Sequence, residues 1–224
     1  MIEVFFATMN KDKIMKMKNR LKDLDINLVT PYDMNINIEI EENGENVIEN
    51  ATLKAKAYFD KIQIPTIATD SALYVEKFEV QPGLFVKRIN GVTLDDEKLE
   101  EHYINELNKV GGKSNAFYVT GIVIAQCGKV DSIEIKEDNF TFTSKIYEGK
   151  RGLDPLGRLE YDDKIKKYFC QLNDNEMEKR GYCFDIEAKK FIISKLINSN
   201  LPLKIRIKPR NILIFLGFRI SELN

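Results

Sequence analysis

The sequence is poor in the side chains that most often build metal centres and nucleophilic triads. It contains one histidine, His102, and three cysteines, Cys127, Cys170 and Cys183. A single histidine in a charged segment leaves almost no material for histidine-rich zinc sites or Ser-His-Asp chemistry, and we expect His102 to be a surface residue. An odd number of cysteines without paired spacing indicates a reducing compartment, so we predict a cytoplasmic protein without a disulfide framework.

Long apolar segments and a charge imbalance are also missing. No apolar run approaches the roughly 20 residues that span a bilayer, and residues 1–6 have neither the basic region nor the cleavage site of a signal peptide. The 34 basic and 35 acidic residues nearly cancel, which argues against a broad surface for a nucleic-acid polymer. We therefore predict a protein that is neither secreted nor membrane-spanning, in which any polyanion site is local.

What the sequence does contain is an alternation of strand-type and helical patterns. Its 224 residues suffice for one α/β domain with a substantial core. Apolar runs predict strands at residues 2–7, 26–29, 66–69, 72–75, 116–126 and 130–142, and helical spacing predicts helices at about 10–24, 47–62, 95–107 and 185–197. This order indicates an α/β fold with a mixed sheet in two lobes around a central cleft. Asp70 and Ser71 are expected at a joint between two short strands.

Thr8, Asn10 and Lys13 lie where the first predicted strand gives way to a helix. The first backbone N–H groups of a helix are unpaired and its dipole favours an anion, while a lysine adds a point charge for phosphate oxygens. A strand followed by a capped helix is common in α/β proteins, so this segment alone indicates no more than a candidate anion site.

A second set of polar residues strengthens that indication. Glu49, Asn50 and Lys54 fall on successive turns of the helix predicted at 47–62, from which Lys54 can reach a phosphate. Mg²⁺ in proteins binds one or two carboxylates together with phosphate oxygens and water. Glu42 and Asp70 would suffice if the fold brings them to one cleft, which predicts a site for a Mg²⁺ triphosphate. Taken singly, each acid has an ordinary interpretation as a solvated surface group.

These segments occur in the order found in one known family. Residues 7–13 (ATMNKDK), 41–55 (EENGENVIENATLKA) and 68–73 (ATDSAL) resemble motifs of the Ham1 / inosine triphosphate pyrophosphatase family, most strongly within residues 1–91. The resemblance implies an elongated, two-lobed ITPase-like fold with a central nucleotide cleft. It also implies hydrolysis of deaminated purine (deoxy)nucleoside triphosphates to monophosphate and pyrophosphate with Mg²⁺, and a homodimer.

The resemblance also implies roles for individual residues. Thr8, Asn10, Lys13 and Ser71 resemble the triphosphate-binding set, Glu42 resembles a metal ligand and Lys54 resembles the lysine that faces the phosphates. Asp70 resembles the catalytic acid that binds Mg²⁺ and orients the attacking water. Residues 82–85 followed by Arg88 and Gly91 resemble a Pro-Gly-aromatic segment of the family, which adds Arg88 to the expected substrate contacts.

The resemblance weakens where the base should be recognised. Thr69 precedes Asp70, whereas the family has two adjacent aspartates before the serine. Residues 152–156 keep only the acid and proline of the family's Gly-Phe-Gly-Tyr-Asp-Pro segment. With Lys179 aligned to a family lysine, the family's Ser-His-Arg positions become residues 183–185, which places Phe184 and Asp185 at the base site. An ionised aspartate can only accept hydrogen bonds, and a mispaired buried polar group costs about 1–3 kcal/mol. We therefore expect altered base selectivity, such as a preference for a 6-amino base, or loss of turnover.

These departures leave open a function of another class. A weakened Ham1-like protein could act as a sensor or regulatory subunit that binds a nucleotide such as (d)ITP and signals to a partner protein, for example in an anti-phage defence system. Residues 1–200 are predicted to form the Ham1-like domain, and residues 201–224 a β-rich extension with strands at 203–208 and 212–218. The apolar run at 212–218 either packs within its own domain or forms a protein interface. An unrelated α/β binding protein is the third alternative.

Overall fold

The computed structural model describes residues 1–150, 152, 154–173, 175–176 and 183–196, with the backbone alone at residues 138–139 and 183–185. The predicted extension at 201–224 and Lys179 lie outside the described residues. Within them, no helix is both long enough and apolar enough to cross a membrane.

A seven-stranded mixed sheet forms the centre of the fold, in the order β2-β1-β3-β6-β7-β8-β9. Its strands are β1 (Ile2–Phe6), β2 (Ile26–Val29), β3 (Thr66–Val75), β6 (Lys113–Gln126), β7 (Lys129–Thr143), β8 (Glu160–Asp162) and β9 (Lys167–Tyr168). Strand β1 pairs in parallel with β2 and β3, and the remaining pairs are antiparallel. Strands β4 (Arg88–Ile89) and β5 (Val92–Thr93) form a separate hairpin. The predicted α/β class with a mixed sheet is confirmed.

Five α-helices are described: α1 (Lys11–Leu21), α2 (Pro31–Met34), α3 (Val47–Ile62), α4 (Asp96–Lys109) and α5 (Cys183–Leu196). The side chains of Asn10, Asn46 and Asp95 cap α1, α3 and α4 by accepting a backbone N–H of the first turn, as short polar side chains do at helix starts. Helix α3 has the predicted bounds, and α1 ends three residues earlier than predicted.

The sheet carries two lobes because β6 and β7 are long enough to pass through both. In the first lobe, α1 and α5 pack on one face against Ile67 and Ile122. Helix α3 covers the other face through Ala51 and Ala55. In the second lobe, α4 packs against Leu73. Aromatic residues of α4 and β7 belong to the same core. The polar residues between these cores border a cleft.

The predicted joint at Asp70 and Ser71 is wrong. Residues 66–75 form one continuous strand that pairs with β6 in unbroken antiparallel register. Two polar residues can occupy the middle of this strand because each has a partner: Asp70 meets Asn50 and Lys54, and the hydroxyls of Ser71 and Thr120 lie 3.0 Å apart. Backbone pairing in the sheet therefore prevails over the break that the polar pair indicated.

Candidate nucleotide site

Asp70 lies in the middle of β3 on the face covered by α3. Side chains alternate along a strand, so Asp70 shares its face with Ala68, which packs in the α3 core. Lys54 of α3 places its Nζ atom 2.7 Å from Asp70 Oδ1. Asn50, one turn earlier on α3, places its Nδ2 atom 3.4 Å from Asp70 Oδ2. One helix thus supplies a cation and an amide to the same carboxylate.

The acidic loop before α3 brings a second carboxylate to Lys54. Glu42 Oε2 lies 3.2 Å from Lys54 Nζ, and Gly44 donates its N–H to Asn50 Oδ1 at 2.8 Å. A Cβ atom on Gly44 would lie 2.6 Å from Glu49 Cβ, so only glycine allows the loop to approach α3 this closely. Asn50 therefore connects the Glu42 loop to Asp70, a positioning role absent from the predicted site. Its place one turn before Lys54 is the sequence signal that indicates it.

A second close approach fixes α3 against the sheet. Gly121 of β6 is the register partner of Asp70. A Cβ atom at Gly121 would lie 2.8 Å from the carbonyl oxygen of Val47, in the first turn of α3. The missing side chain thus lets α3 lie close enough for Asn50 and Lys54 to reach Asp70. Gly121 was not among the predicted site residues.

The loop between β1 and α1 has the local structure expected for an anion site. Thr8 Oγ1 accepts the N–H of Asn10 at 3.1 Å, and Asn10 Oδ1 accepts the N–H of Lys13 at 3.1 Å. Tyr32 of α2 donates its hydroxyl to the Met9 carbonyl at 2.9 Å. The side-chain oxygens of Thr8 and Asn10 therefore shape the loop, while the start of α1 faces the cleft with Lys13.

Lys13 is the electrostatic connection between this loop and the carboxylates. Burial, together with the neighbouring charge of Lys54, lowers the pKa of Lys13 from 10.5 to about 8, although Asp70 and Glu42 act in the opposite direction. Lys13, Lys54, Asp70 and Glu42 thus form one interacting group. An anion bound there would favour the protonated form of Lys13, because an opposite charge stabilises the ammonium.

The donor set at Asp70 and Glu42 fits a hard divalent cation. Both carboxylates contact the single ammonium of Lys54, so a cation at that position would reach both. Within the described residues, no three or more histidine, cysteine, aspartate or glutamate residues are grouped as metal ligands. Two carboxylates match an ion such as Mg²⁺, which completes its coordination with phosphate oxygens and water.

Ser71 and Thr69 lie on the face opposite Asp70. Ser71 is paired with Thr120 of β6, between the α1 core and the α4 core, and so borders the cleft. Thr69 is buried and adjacent to Asp70 along a regular strand, so the two side chains point to opposite faces. Thr69 therefore points away from Asp70 and does not supply a second ligand beside it.

The other residues predicted to contact the substrate are not seen beside the group of lysines and carboxylates in the described part of the chain. Arg88 is exposed on β4 and makes no hydrogen bond or ion pair with Lys13, Lys54 or Asp70. Phe184 and Asp185 lie in the first turn of α5, where the backbone alone is described. Lys179 lies outside the described residues.

The fold is a mixed α/β sheet in two lobes, and two lysines and two carboxylates form one interacting group beside the start of α1. The family model described as the Ham1 family matches residues 4–179. A dITP/XTP pyrophosphatase of Campylobacter jejuni subsp. jejuni serotype O:2 is 31% identical over 88% of this chain and 99% of its own length. The chain belongs to the Ham1 family.

Further comparisons agree with this membership. A dITP/XTP pyrophosphatase of Thermoanaerobacter pseudethanolicus is 27% identical over 87% of this chain and 98% of its own length. The structure of the Staphylococcus aureus Ham1 protein superimposes with a TM-score of 0.63 at 24% identity, covering 85% of this chain and 97% of that one. The resemblance in the motifs and the predicted ITPase-like fold are therefore confirmed. Neither relative's name points to a sensor.

Proposed function

We propose that this protein hydrolyses deaminated purine (deoxy)nucleoside triphosphates to the monophosphate and pyrophosphate, with Mg²⁺ as cofactor. One observation carries the proposal: Lys54 is held between Glu42 and Asp70, beside Lys13 at the start of α1. This arrangement pairs a phosphate-binding helix terminus with two carboxylates for a cation. The dITP/XTP pyrophosphatases to which the chain is similar supply the reaction class.

The triphosphate is bound at the β1–α1 loop. The N–H groups at the start of α1 and the ammonium of Lys13 contact its oxygens, and the hydroxyls of Thr8 and Ser71 add hydrogen bonds. Glu42 and Asp70, which both contact Lys54 here, would hold the metal and supply its negative ligands. Lys54 supplies a positive charge for the phosphate oxygens, and Asn50 holds Asp70 in place.

Asp70 also orients the attacking water. The water oxygen forms a bond to the α-phosphorus, the bond from that phosphorus to the bridging oxygen breaks, pyrophosphate leaves, and the proton of the water passes to Asp70 and from there to solvent. Mg²⁺ bound at Glu42 and Asp70 would stabilise the negative charge that develops on the phosphate oxygens. Lys13 and Lys54 stabilise the charge of the leaving group. With Thr69 on the opposite face, Asp70 is the acid at this position of β3 that serves both roles.

We place recognition of the base at the end of the cleft that lies away from the phosphates. Lys179, Phe184 and Asp185 stay the predicted base contacts, and Arg88 a predicted contact from the second lobe. Because Asp185 stands where the family has donors, the preference among deaminated bases is expected to differ from that of the family, and ATP in the panel detects a preference for a 6-amino base. Homodimerisation, cytoplasmic location and a protein partner for residues 201–224 also stay predictions.

The test is pyrophosphate release with Mg²⁺ from ITP, XTP, ATP, GTP and their deoxy forms. We expect release from at least one deaminated triphosphate, and its loss in Asp70→Asn. Asp60→Asn on the exposed end of α3 is the matched control and should retain activity. Full activity of Asp70→Asn would refute its role, and release from none of the triphosphates would refute the enzyme. Stabilisation by one triphosphate without release would instead favour the sensor.

A further inference from the structure

One buried acid lies outside the residues proposed to bind the phosphates and the metal, and it has no part in the mechanism above. Glu160 on β8 is 2% exposed, and Tyr118 of β6 donates its hydroxyl to Glu160 Oε1 at 2.7 Å. Tyr118 also stacks on Phe140 of β7, with ring centroids 5.5 Å apart. A buried carboxyl is costly unless it is hydrogen-bonded or neutral, so its presence on a packed sheet needs an explanation.

The register of β6 places Tyr118 on the face of the sheet that carries Ser71, one position beyond the Ser71–Thr120 pair, whereas Asp70 lies on the other face. Thr120 is opposite Ser71, and Tyr118 is opposite Leu73. Residues two apart on a strand share a face, so Tyr118 follows Thr120 along the floor of the cleft, toward the second lobe. A triphosphate anchored at the start of α1 beside Ser71 would extend its nucleoside along this floor.

Charged residues connect the two ends of the cleft. Lys16 of α1, one turn after Lys13, lies 3.6 Å from Asp154 and 2.8 Å from Asp12. The side chains of Lys16 and Asp154 are 49% and 38% exposed, so both can contact a ligand. Lys16 therefore connects the helix that binds the phosphates to the segment that leads into β8 and Glu160.

The surroundings of Glu160 favour its neutral form. Burial and the charge of Asp154 raise the pKa of Glu160 from 4.5 to about 8, with a smaller contribution from Glu137, while the Tyr118 hydroxyl and Lys16 lower it. The charge of Glu160 also contributes to raising the pKa of the Cys170 thiol. When Glu160 is protonated, Lys16 stays paired with Asp154 at 3.6 Å.

We propose that Glu160 is a positioning residue for the nucleoside end of the cleft: it fixes the Tyr118 hydroxyl and leaves the Lys16–Asp154 pair to border the nucleoside. This inference rests on the proposed function, since it deepens the description of the same site. Ionisation of Glu160 places a second carboxylate beside Asp154 and disturbs both contacts. The affinity for a nucleotide should then fall, whereas the affinity for the triphosphate group alone should not change through Glu160.

Two probes separate these contributions. Calorimetric binding with Mg²⁺ is measured from pH 6.5 to 9.5 for the α,β-methylene analogue of ITP and for inorganic tripolyphosphate. Loss of the Lys13 charge weakens the binding of both probes. The dissociation constant of the analogue divided by that of tripolyphosphate therefore isolates the contribution of the nucleoside end. In the unmodified protein we expect this ratio to rise about fivefold between pH 7 and 9, as for one net hydrogen bond.

Variants then assign the change to Glu160. Glu160→Gln keeps the shape and a hydrogen-bonding carbonyl but cannot ionise, so its ratio should be constant with pH. Glu134→Gln, exposed on β7, is the matched control and should keep the rise. Tyr118→Phe removes a group that lowers the pKa of Glu160, and Asp154→Asn removes one that raises it. The midpoint of the rise should therefore move up in Tyr118→Phe and down in Asp154→Asn.

The analogue is not cleaved between its α- and β-phosphorus atoms, so the result does not depend on turnover. A rise that persists in Glu160→Gln, or is absent from the unmodified protein, would overturn the inference even if pyrophosphate release is found. Absence of pyrophosphate release with the predicted pH dependence intact would overturn the enzyme and leave the inference standing. Failure of both probes to bind would overturn both.

Discussion

Replacing Gly121 by alanine tests whether the approach of α3 to the sheet holds the site together. The added Cβ would lie 2.8 Å from the carbonyl oxygen and 2.9 Å from the carbonyl carbon of Val47, and 3.1 Å from Ile48 Cδ1. Two of these three atoms are backbone atoms, so no rotamer change relieves the contact. The first turn of α3 must move away from β6.

The size of the effect follows from these distances. An ordinary contact needs about 3.4 Å, so the start of α3 must shift by roughly 0.6 Å. Overpacking of this kind costs about 1–3 kcal/mol of the free energy of unfolding. The same shift lengthens the 3.4 Å contact between Asn50 and Asp70. A displacement near 1 Å in a reacting group costs about 10²-fold in rate, so we expect kcat to fall at least tenfold.

Urea unfolding and pyrophosphate release are measured together on Gly121→Ala and on a matched control, Gly157→Ala. A Cβ at Gly157 would lie 3.5 Å from Asp154 Cβ, an ordinary contact, so the control should lose little stability. Wild-type stability and wild-type kcat in Gly121→Ala would falsify the idea that this approach positions Asn50 and Lys54.

Three further variants test other contacts. Lys54→Met leaves Glu42 and Asp70 without their shared cation, and kcat for pyrophosphate release should fall about 10²-fold or more; a kcat within threefold of wild type would contradict the assignment. Tyr32→Phe removes the hydrogen bond to the Met9 carbonyl, so KM should rise about fivefold with kcat unchanged, and an unchanged KM would show that the loop does not need it. Glu160→Gln should gain stability relative to wild type as pH rises from 4.5 to about 8, because unfolded Glu160 ionises in this range while folded Glu160 keeps its proton. At about 1.4 kcal/mol per pKa unit, the difference in free energy of unfolding reaches at most about 5 kcal/mol. A difference in urea midpoint between the two proteins that is the same at pH 5 and at pH 9 would contradict the burial of a neutral acid.

Local pattern predicted the elements that carry the phosphate-binding residues. Helix α3 was predicted with its observed bounds from Glu49 and Asn50 near its start and Pro65 after its end, and the structure shows that Asn46 caps it. The long β6–β7 hairpin was predicted from two β-rich runs that flank a short turn; β6 begins three residues earlier than predicted, and β7 is one residue longer at each end. Such signals lie within single segments of sequence, where propensity and capping decide.

Contacts between distant segments were not predictable in the same way. The sequence does not indicate a contact between Tyr118 and Glu160. Strand β8 has only three residues, and its position follows from pairing with β7 in the folded sheet. The continuity of β3 through Asp70 depends on ten pairs with β6, which outweigh two polar residues. Gly44 and Gly121 read as ordinary loop and strand glycines until the position of α3 shows which atoms their side chains would meet.

The two lobes share β6 and β7, and this sharing limits how the cleft can move. Two bodies joined by a flexible linker can swing apart freely, but strands that pass through both lobes resist a hinge motion. Opening must be absorbed as extra twist of these strands, and their register shift between Ala116 and Tyr118 is a place where twist is readily taken up. A ligand that fixes Tyr118 would thus stiffen β6 beside this register shift, and hydrogen exchange of the β6 amides should report nucleotide binding at a distance from the phosphates.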